Sequence, residues 1–254
     1  MRCASIGSGS RGNGTLIEAG STRVLVDCGF SVAETERRLG RFGLKPADLS
    51  AVLVTHEHTD HASGVGRLAR RHRIPVWMTH GTARALERER FPEVHFLDPH
   101  RSFDLGALHI EPVAVPHDAN EPCQFVFGED GQRCGVLTDL GHITQHVLER
   151  YSGCQALLLE CNHDKGLLAA GPYPAGLKRR VGGAFGHLEN RQAEAFLRNL
   201  DQSAIRYLAA MHLSEKNNDP HRVLTGLEAV WKGHDGRIRI ATQDEGLPWY
   251  DLSV

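Results

Sequence analysis

No apolar run in this sequence is long enough to cross a bilayer, and Met1-Arg2-Cys3-Ala4-Ser5-Ile6-Gly7 lacks the long apolar core of a secretion signal. A cytoplasmic protein with no membrane partner is therefore expected. Paired cysteines are missing too. The six, at positions 3, 28, 123, 134, 154 and 161, contain no Cys-x-x-Cys, which argues against a zinc ribbon and gives no support to a disulfide framework. With 29 basic and 31 acidic residues, the formal net charge of -2 gives no global pull towards nucleic acid, so a polyanion would have to be held by local basic clusters. Neither a Pro-rich linker nor a low-complexity tract divides the chain. Its 254 residues, 41% hydrophobic, read as a single domain spanning 1–254. A nucleophilic serine motif is absent, and the stretch Gly7-Ser8-Gly9-Ser10-Arg11-Gly12-Asn13-Gly14 leads into a strand pattern, which excludes a dinucleotide fingerprint.

What the sequence has in excess is histidine, 16 in all. Four potential metal ligands crowd into His56-Glu57-His58-Thr59-Asp60-His61, directly after the apolar run Ala51-Val52-Leu53-Val54-Thr55, which reads as a buried strand. If the chain is still extended at His56 and His58, the period of two puts both imidazoles on one face, where they can converge on one ion. Asp60 and His61 then turn towards a second position. Residues 62–72 follow with the helical spacing of Val65, Leu68 and Ala69, placing Asp60 at a helix N-terminus, where a carboxylate is favoured.

Along the chain, residues 2–6 read as a strand and residues 15–19 and 22–26 as a hairpin. A surface helix is expected over 31–42, with Val32, Leu39 and Phe42 inward. After the metal strand come a strand at 74–78, a charged helix at 82–90, and strands at 94–97, 108–115, 124–127 and 134–138. The second half offers helices at 143–151, 174–181, 190–200 and about 221–231, with strands at 156–159, 207–210 and 237–242. Two β-rich halves, each followed by helices, predict an α/β fold packed as a four-layer αβ/βα sandwich.

The hexapeptide in its strand-to-helix setting resembles the His-x-His-x-Asp-His signature of the metallo-β-lactamase fold hydrolases, and the four-layer sandwich is that family's fold. The resemblance implies a role for further residues at strand ends. Asp27 matches the early aspartate that orients the metal loop, and His117, Asp139 and His212 match the later metal motifs. Two divalent ions per chain, zinc or manganese, are then expected, with His56, His58 and His117 on one, Asp60, His61 and His212 on the other, and Asp139 bridging. Two adjacent cations repel, so a bridging carboxylate between them is physically reasonable. Water bound to such ions has its pKa lowered to about 7, which supplies a nucleophile without a serine triad. Diiron relatives carry glutamate in place of the second histidine; here position 58 is histidine and Glu57 is expected on the opposite side.

The segments Leu159-Glu160-Cys161-Asn162-His163-Asp164, Tyr173-Pro174, Gly186-His187-Leu188-Glu189-Asn190 and His212-Leu213-Ser214-Glu215-Lys216-Asn217-Asn218, with Gly9-Ser10-Arg11-Gly12-Asn13, look like the WalJ-type branch, described as DNA exonucleases. Glu160 and His187 also fall where ribonuclease Z has a glutamate–histidine dyad beside the scissile phosphate. The resemblance thus implies Asp60, His187 and Glu160 as catalytic residues, with Lys178, Arg179, Arg180 and Asn190 at the substrate. DNA or another phosphodiester is the expected partner. The basic run Arg67, Arg70, Arg71 and Arg73 reads as a solvated helix face, His163 as a neighbour of the site, and nine further histidines, His234 among them, as surface or packed residues. One departure stands out. Glu189 replaces the branch's usual serine at the start of the 190–200 helix, a poorer cap whose charge would repel a phosphate. Compact cyclic phosphodiesters, and thioesters or lactones cleaved as by glyoxalase II, are the rival substrates; a metal-dependent binding module is the non-enzymatic alternative.

Overall fold

The computed structural model describes residues 1–87, 89–232 and 236–253. Arg88, inside the expected helix at 82–90, and His234 lie outside them. The strands in chain order are β1 (Arg2–Gly7), β2 (Gly14–Ala19), β3 (Thr22–Val26), β4 (Ala51–Leu53), β5 (Val76–Met78), β6 (Val94–Phe96), β7 (Phe103–Leu105), β8 (Leu108–Ala114), β9 (Cys123–Glu129), β10 (Gln132–Leu137), β11 (Ala156–Glu160), β12 (Tyr207–Met211), β13 (Ile238–Ile240) and β14 (Leu247–Asp251). The helices are α1 (Val32–Gly40), α2 (Thr59–Ala62), α3 (Val65–His72), α4 (His80–Ala85), α5 (Gln145–Tyr151), α6 (Lys165–Ala170), α7 (Ala175–Val181), α8 (Asn190–Asn199) and α9 (Pro220–Val230).

Two seven-stranded sheets result, ordered β14-β1-β2-β3-β4-β5-β6 and β13-β12-β11-β10-β9-β8-β7. Each is antiparallel at one end and parallel at the other: β3, β4, β5 and β6 run parallel in the first, and β10, β11, β12 and β13 in the second. Parallel strands covered on both faces read as unbroken apolar runs, and alternate residues go to opposite layers. On β11, Ala156 and Leu158 pack between the sheets, while Leu157 and Leu159 pack outwards. Three apolar clusters follow, one between the sheets, one under α1 and α3, and one under α5, α8 and α9. This is the expected four-layer sandwich.

α1 departs from expectation in one respect. Leu39 is buried, but so is Arg38, 4% exposed, whose guanidinium donates to Glu34 Oε1 (2.6 Å) and to the carbonyls of Ile6 (2.6 Å), Gln243 (2.9 Å) and Asp244 (3.1 Å). A buried charge is tolerated when its donors are used in this way. It ties the helix to the end of β1 and to the chain after β13. Among the described residues no helix is long and apolar enough to cross a membrane.

Candidate metal centre

The C-terminal ends of the parallel strands in both sheets converge on one point, as ligand sites of open α/β sheets generally do. Asp27 follows β3, the hexapeptide follows β4, His117 follows β8, Asp139 follows β10, Glu160 closes β11 and His212 follows β12. Three of these bend the chain sharply: Asp27, Asp139 and His212 have φ of 62°, 53° and 55°. Left-handed backbone at residues other than glycine is uncommon and costs free energy, and here it turns side chains inward at the strand ends.

All the expected metal ligands are brought together. His56, His58 and His117 form one group and Asp60, His61 and His212 a second; within each group the ligand atoms lie within 4.8 Å of one another. Asp139 belongs with both sides, grouped with His56 and His61 and also with His212. His58 caps the short turn α2, which carries Asp60 and His61 round to the second position. His56 Nε2 is buried with no hydrogen-bond partner, and the buried Asp139 Oδ2 has only the ring nitrogen of another expected ligand, His61 Nε2, beside it. Buried nitrogen and oxygen atoms facing a cage of imidazoles and carboxylates are what a cation site requires, and the donor set suits zinc or manganese.

The supports of this cage fix which ring nitrogen faces inward. Asp27 accepts from Thr55 N and Thr55 Oγ1 (both 2.8 Å), and its Oδ2 holds His61 Nδ1 at 2.8 Å. His61 therefore presents Nε2 to Asp139 (3.1 Å). His117 Nδ1 donates to Gly186 O (2.9 Å), leaving its Nε2 3.2 Å from His58 Nδ1. Glu160, fully buried, holds two rings at once, His187 Nδ1 at 2.9 Å and His212 Nδ1 at 3.1 Å, while its other oxygen accepts from the backbone of Leu188 and Leu140. Partners of this kind orient ligands and set their tautomers.

Within the cage the imidazoles and carboxylates shift one another's pKa. Burial works against a charged His212, but Asp139, Asp60 and Glu160 raise its pKa to about 10, and His61 is raised in the same way by Asp139, Asp60 and Asp27. Burial likewise opposes ionised Asp60 and Glu160, yet the neighbouring rings pull both down to about 2. His56, with burial and other imidazoles around it, is held neutral. Cations would replace the protons on His61 and His212.

A cavity of about 410 Å³ opens over the cage, lined by Asp60, Asp139, His187, Tyr173, Leu177 and Arg180 among others. His187 has its Nδ1 on Glu160, so its Nε2 is the nitrogen open to this cavity, and Glu160 raises its pKa against the effect of burial. The expected substrate residues fare unequally. Arg180 lines the cavity, paired with Asp118. Lys178 Nζ donates to Ala169 O (2.6 Å), and Arg179 has no side-chain partner among the described residues. Asn190 is not among the cavity-lining residues; it is 7% exposed and exchanges two amide hydrogen bonds with Asn218. Glu189 is not at the cavity either, and its backbone N–H is capped by Gln192 Oε1 (2.9 Å). Glu57 does line the rim, where its Oε1 accepts from Asn120. His163 is buried with Nδ1 unpartnered. Arg70 and Arg71 pair with Glu89 and Glu36, as a surface helix face would. Sequence reasoning missed Asp118, whose carboxylate lies 3.5 Å from His117 Nε2 and 3.8 Å from His58 Nε2. The dipeptide His117-Asp118 at a strand end was the available signal.

The beta-lactamase superfamily domain model matches residues 22–213. The chain is 34% identical over 221 residues to the exodeoxyribonuclease WalJ of Streptococcus pneumoniae (84% of this chain, 81% of the relative), and 31% identical to the exodeoxyribonuclease YycJ of Bacillus anthracis (84% and 82%). In structure it is similar to the metallo-β-lactamase fold protein YhfI of Bacillus subtilis, with a TM-score of 0.77 at 16% identity, covering 98% of this chain and 99% of that one. Cage, fold and relatives agree: this chain belongs to the metallo-β-lactamase fold superfamily and is a metal-dependent hydrolase.

Proposed function

We propose that the protein is a dinuclear metal-dependent phosphodiesterase whose substrate is DNA, cleaved as by an exonuclease. The observation that carries this reading is the Glu160–His187 pair beside the metal cage. A thioester hydrolase has no need of a buried glutamate holding an imidazole against the cavity, because a thiolate departs without a proton, whereas a phosphodiester, like a lactone, leaves an alkoxide that needs one. The names of the relatives, both exodeoxyribonucleases, support the same substrate class.

His56, His58 and His117 would hold one divalent ion, Asp60, His61 and His212 the other, with Asp139 between them. When bound, such ions supply Lewis acidity and activate water at neutral pH. The chain's own residues do the rest. Asp27, Gly186 O and Glu160 fix the ligand tautomers. Arg180, at the cavity wall, exchanges its Asp118 partner for a phosphate oxygen. His187, with Nδ1 fixed on Glu160, gives its Nε2 proton to the departing oxygen and is returned to the charged form by solvent. A cavity of about 410 Å³ also suits a compact diester, so a small cyclic phosphodiester is the second reading.

The leaving group tests the role of His187. p-Nitrophenolate departs without a proton and a deoxyribose alkoxide does not, so His187→Ala should lower DNA turnover by about 10²- to 10⁴-fold and bis(p-nitrophenyl) phosphate turnover far less, at unchanged metal content. Equal losses on both substrates would remove the acid role from His187.

A further inference from the structure

Among the described residues the large apolar side chains left exposed are Phe96 and Phe185, each by more than half, and Leu177 by about a third. Two of them stand at the site. Leu177 lines the cavity, and Phe185, 59% exposed, precedes Gly186 and His187, which also line it. The backbone that carries Phe185 is held tightly. The carbonyls of Ala184, Phe185 and Gly186 accept from His142 Nδ1 (2.8 Å), Asp118 N (2.9 Å) and His117 Nδ1 (2.9 Å) in turn. Gly141 and Gly186 permit this packing, since a Cβ on either would lie 2.2 Å from a carbonyl oxygen of the neighbouring segment. Three successive carbonyls are thus engaged, one of them by an expected metal ligand, while the Phe185 ring is largely exposed and meets the ring of His142 edge-on (6.5 Å between centroids, 81°).

Leaving most of a phenylalanine in solvent on a fixed mount keeps apolar surface hydrated at a cost in free energy. Its chain neighbourhood gives the ring a basic neighbour. α7 ends at Val181, three residues before Ala184, and its last turn carries Lys178, Arg179 and Arg180. An aromatic face beside cationic side chains is how proteins hold single strands: cations track the phosphates and bases stack on the ring. We propose that Phe185 is a stacking platform for an unpaired nucleobase close to the scissile diester, so that the enzyme takes a frayed or single-stranded end in preference to a paired one. This rests on the reading of the site as a DNA phosphodiesterase. The ring binds the base; the cage and His187 act on the phosphate.

The test is a cycle between protein and substrate. Metal-loaded wild type, Phe185→Ala, Phe185→Leu and Phe185→Trp are assayed on end-labelled single-stranded oligonucleotides, intact or with one abasic residue walked through the terminal positions. With wild type, one abasic position should lower kcat/KM by about 5- to 100-fold, and Phe185→Ala on intact DNA should show the same loss. Combined, the losses should fail to add, the second costing no more than about twofold, because the same contact is already gone. Phe185→Trp should retain activity, and Phe185→Leu, apolar but without a π-face, should behave as Phe185→Ala. Additive losses, wild-type kcat/KM in Phe185→Ala, or loss of metal from that variant would each overturn the platform. If wild type cleaves no oligonucleotide at all, the DNA reading itself falls; if it does and the cycle is additive, only the platform falls.

Discussion

Replacing Asp27 by asparagine removes one charge and keeps the size of a side chain that is 3% exposed, so its consequences follow from hydrogen-bond direction alone. Both carboxylate oxygens are acceptors. Oδ1 takes Thr55 N–H, and Oδ2 takes Thr55 Oγ1–H and His61 Nδ1, each at 2.8 Å. An asparagine has one acceptor oxygen and one NH₂ to place in these positions. With NH₂ towards Thr55 N, two buried donors face each other at hydrogen-bond distance. With NH₂ towards His61, the ring must carry its proton on Nε2, the nitrogen that faces Asp139 and would meet the ion. In the first case a buried donor loses its partner, which costs about 1–3 kcal/mol; in the second the tautomer of His61 is reversed. In a chain of this size the first corresponds to a fall in the Tm of the metal-free protein of roughly 2–4 °C per kcal/mol. Loss of a partner that orients a ligand typically weakens metal binding about 10- to 100-fold. Competition titration against a chromophoric chelator reads the affinity, and calorimetry of the chelated protein reads the Tm. Unchanged affinity for both ions in Asp27→Asn would refute the assignment of Asp27 as the support of His61.

Other outcomes follow from the same geometry. Asp139→Ala should lose at least one of two ions together with activity, by elemental analysis; two tightly held ions in the variant would remove Asp139 from between them. Metal binding should release protons and tighten as pH rises, because His61 and His212 are held protonated by their carboxylates. For the metal-free protein the sign is opposite. The folded-state pKa of His212, about 10, lies above the ordinary 6.5, so its contribution to stability is complete below pH 6.5 and is lost as the pH rises towards 10, visible as a falling Tm. Arg38→Met should destabilise the protein by about 3–5 kcal/mol, since it leaves a buried carbonyl cluster unpaired without touching the cage; a two-state denaturation showing under 1 kcal/mol would contradict that role. If DNA is bound, Arg179→Ala should reduce the salt dependence of binding by about one counterion.

Much of the centre was legible because its ligands sit where apolar runs stop. Strands buried on both faces give unbroken runs such as Ala51-Val52-Leu53-Val54, and a polar residue after such a run has few other reasons to be there. What stayed hidden lacked a period. β14 contains Pro248, which demotes a run to an edge strand, and it is at the sheet edge beside β1. β7 has three residues and α6 six, too few to show an alternation. α4 begins at His80, before the expected start, because the Thr79 side chain accepts from Thr82 N and caps it there. At the site, the sequence pointed to Asn190 by position in a motif, but its side chain is spent on Asn218; it could not show that Arg180 would meet Asp118 from 62 residues away.

The most direct measurement offers one substrate panel to chelated protein and to protein reloaded with zinc or manganese: single- and double-stranded DNA, RNA, bis(p-nitrophenyl) phosphate, a cyclic phosphodiester, a thioester and a lactone. The account predicts stepwise release of nucleotides from DNA ends, abolished by chelation, restored by metal, and absent in Asp139→Ala. Thioester or lactone cleavage with every phosphodiester left intact would contradict it.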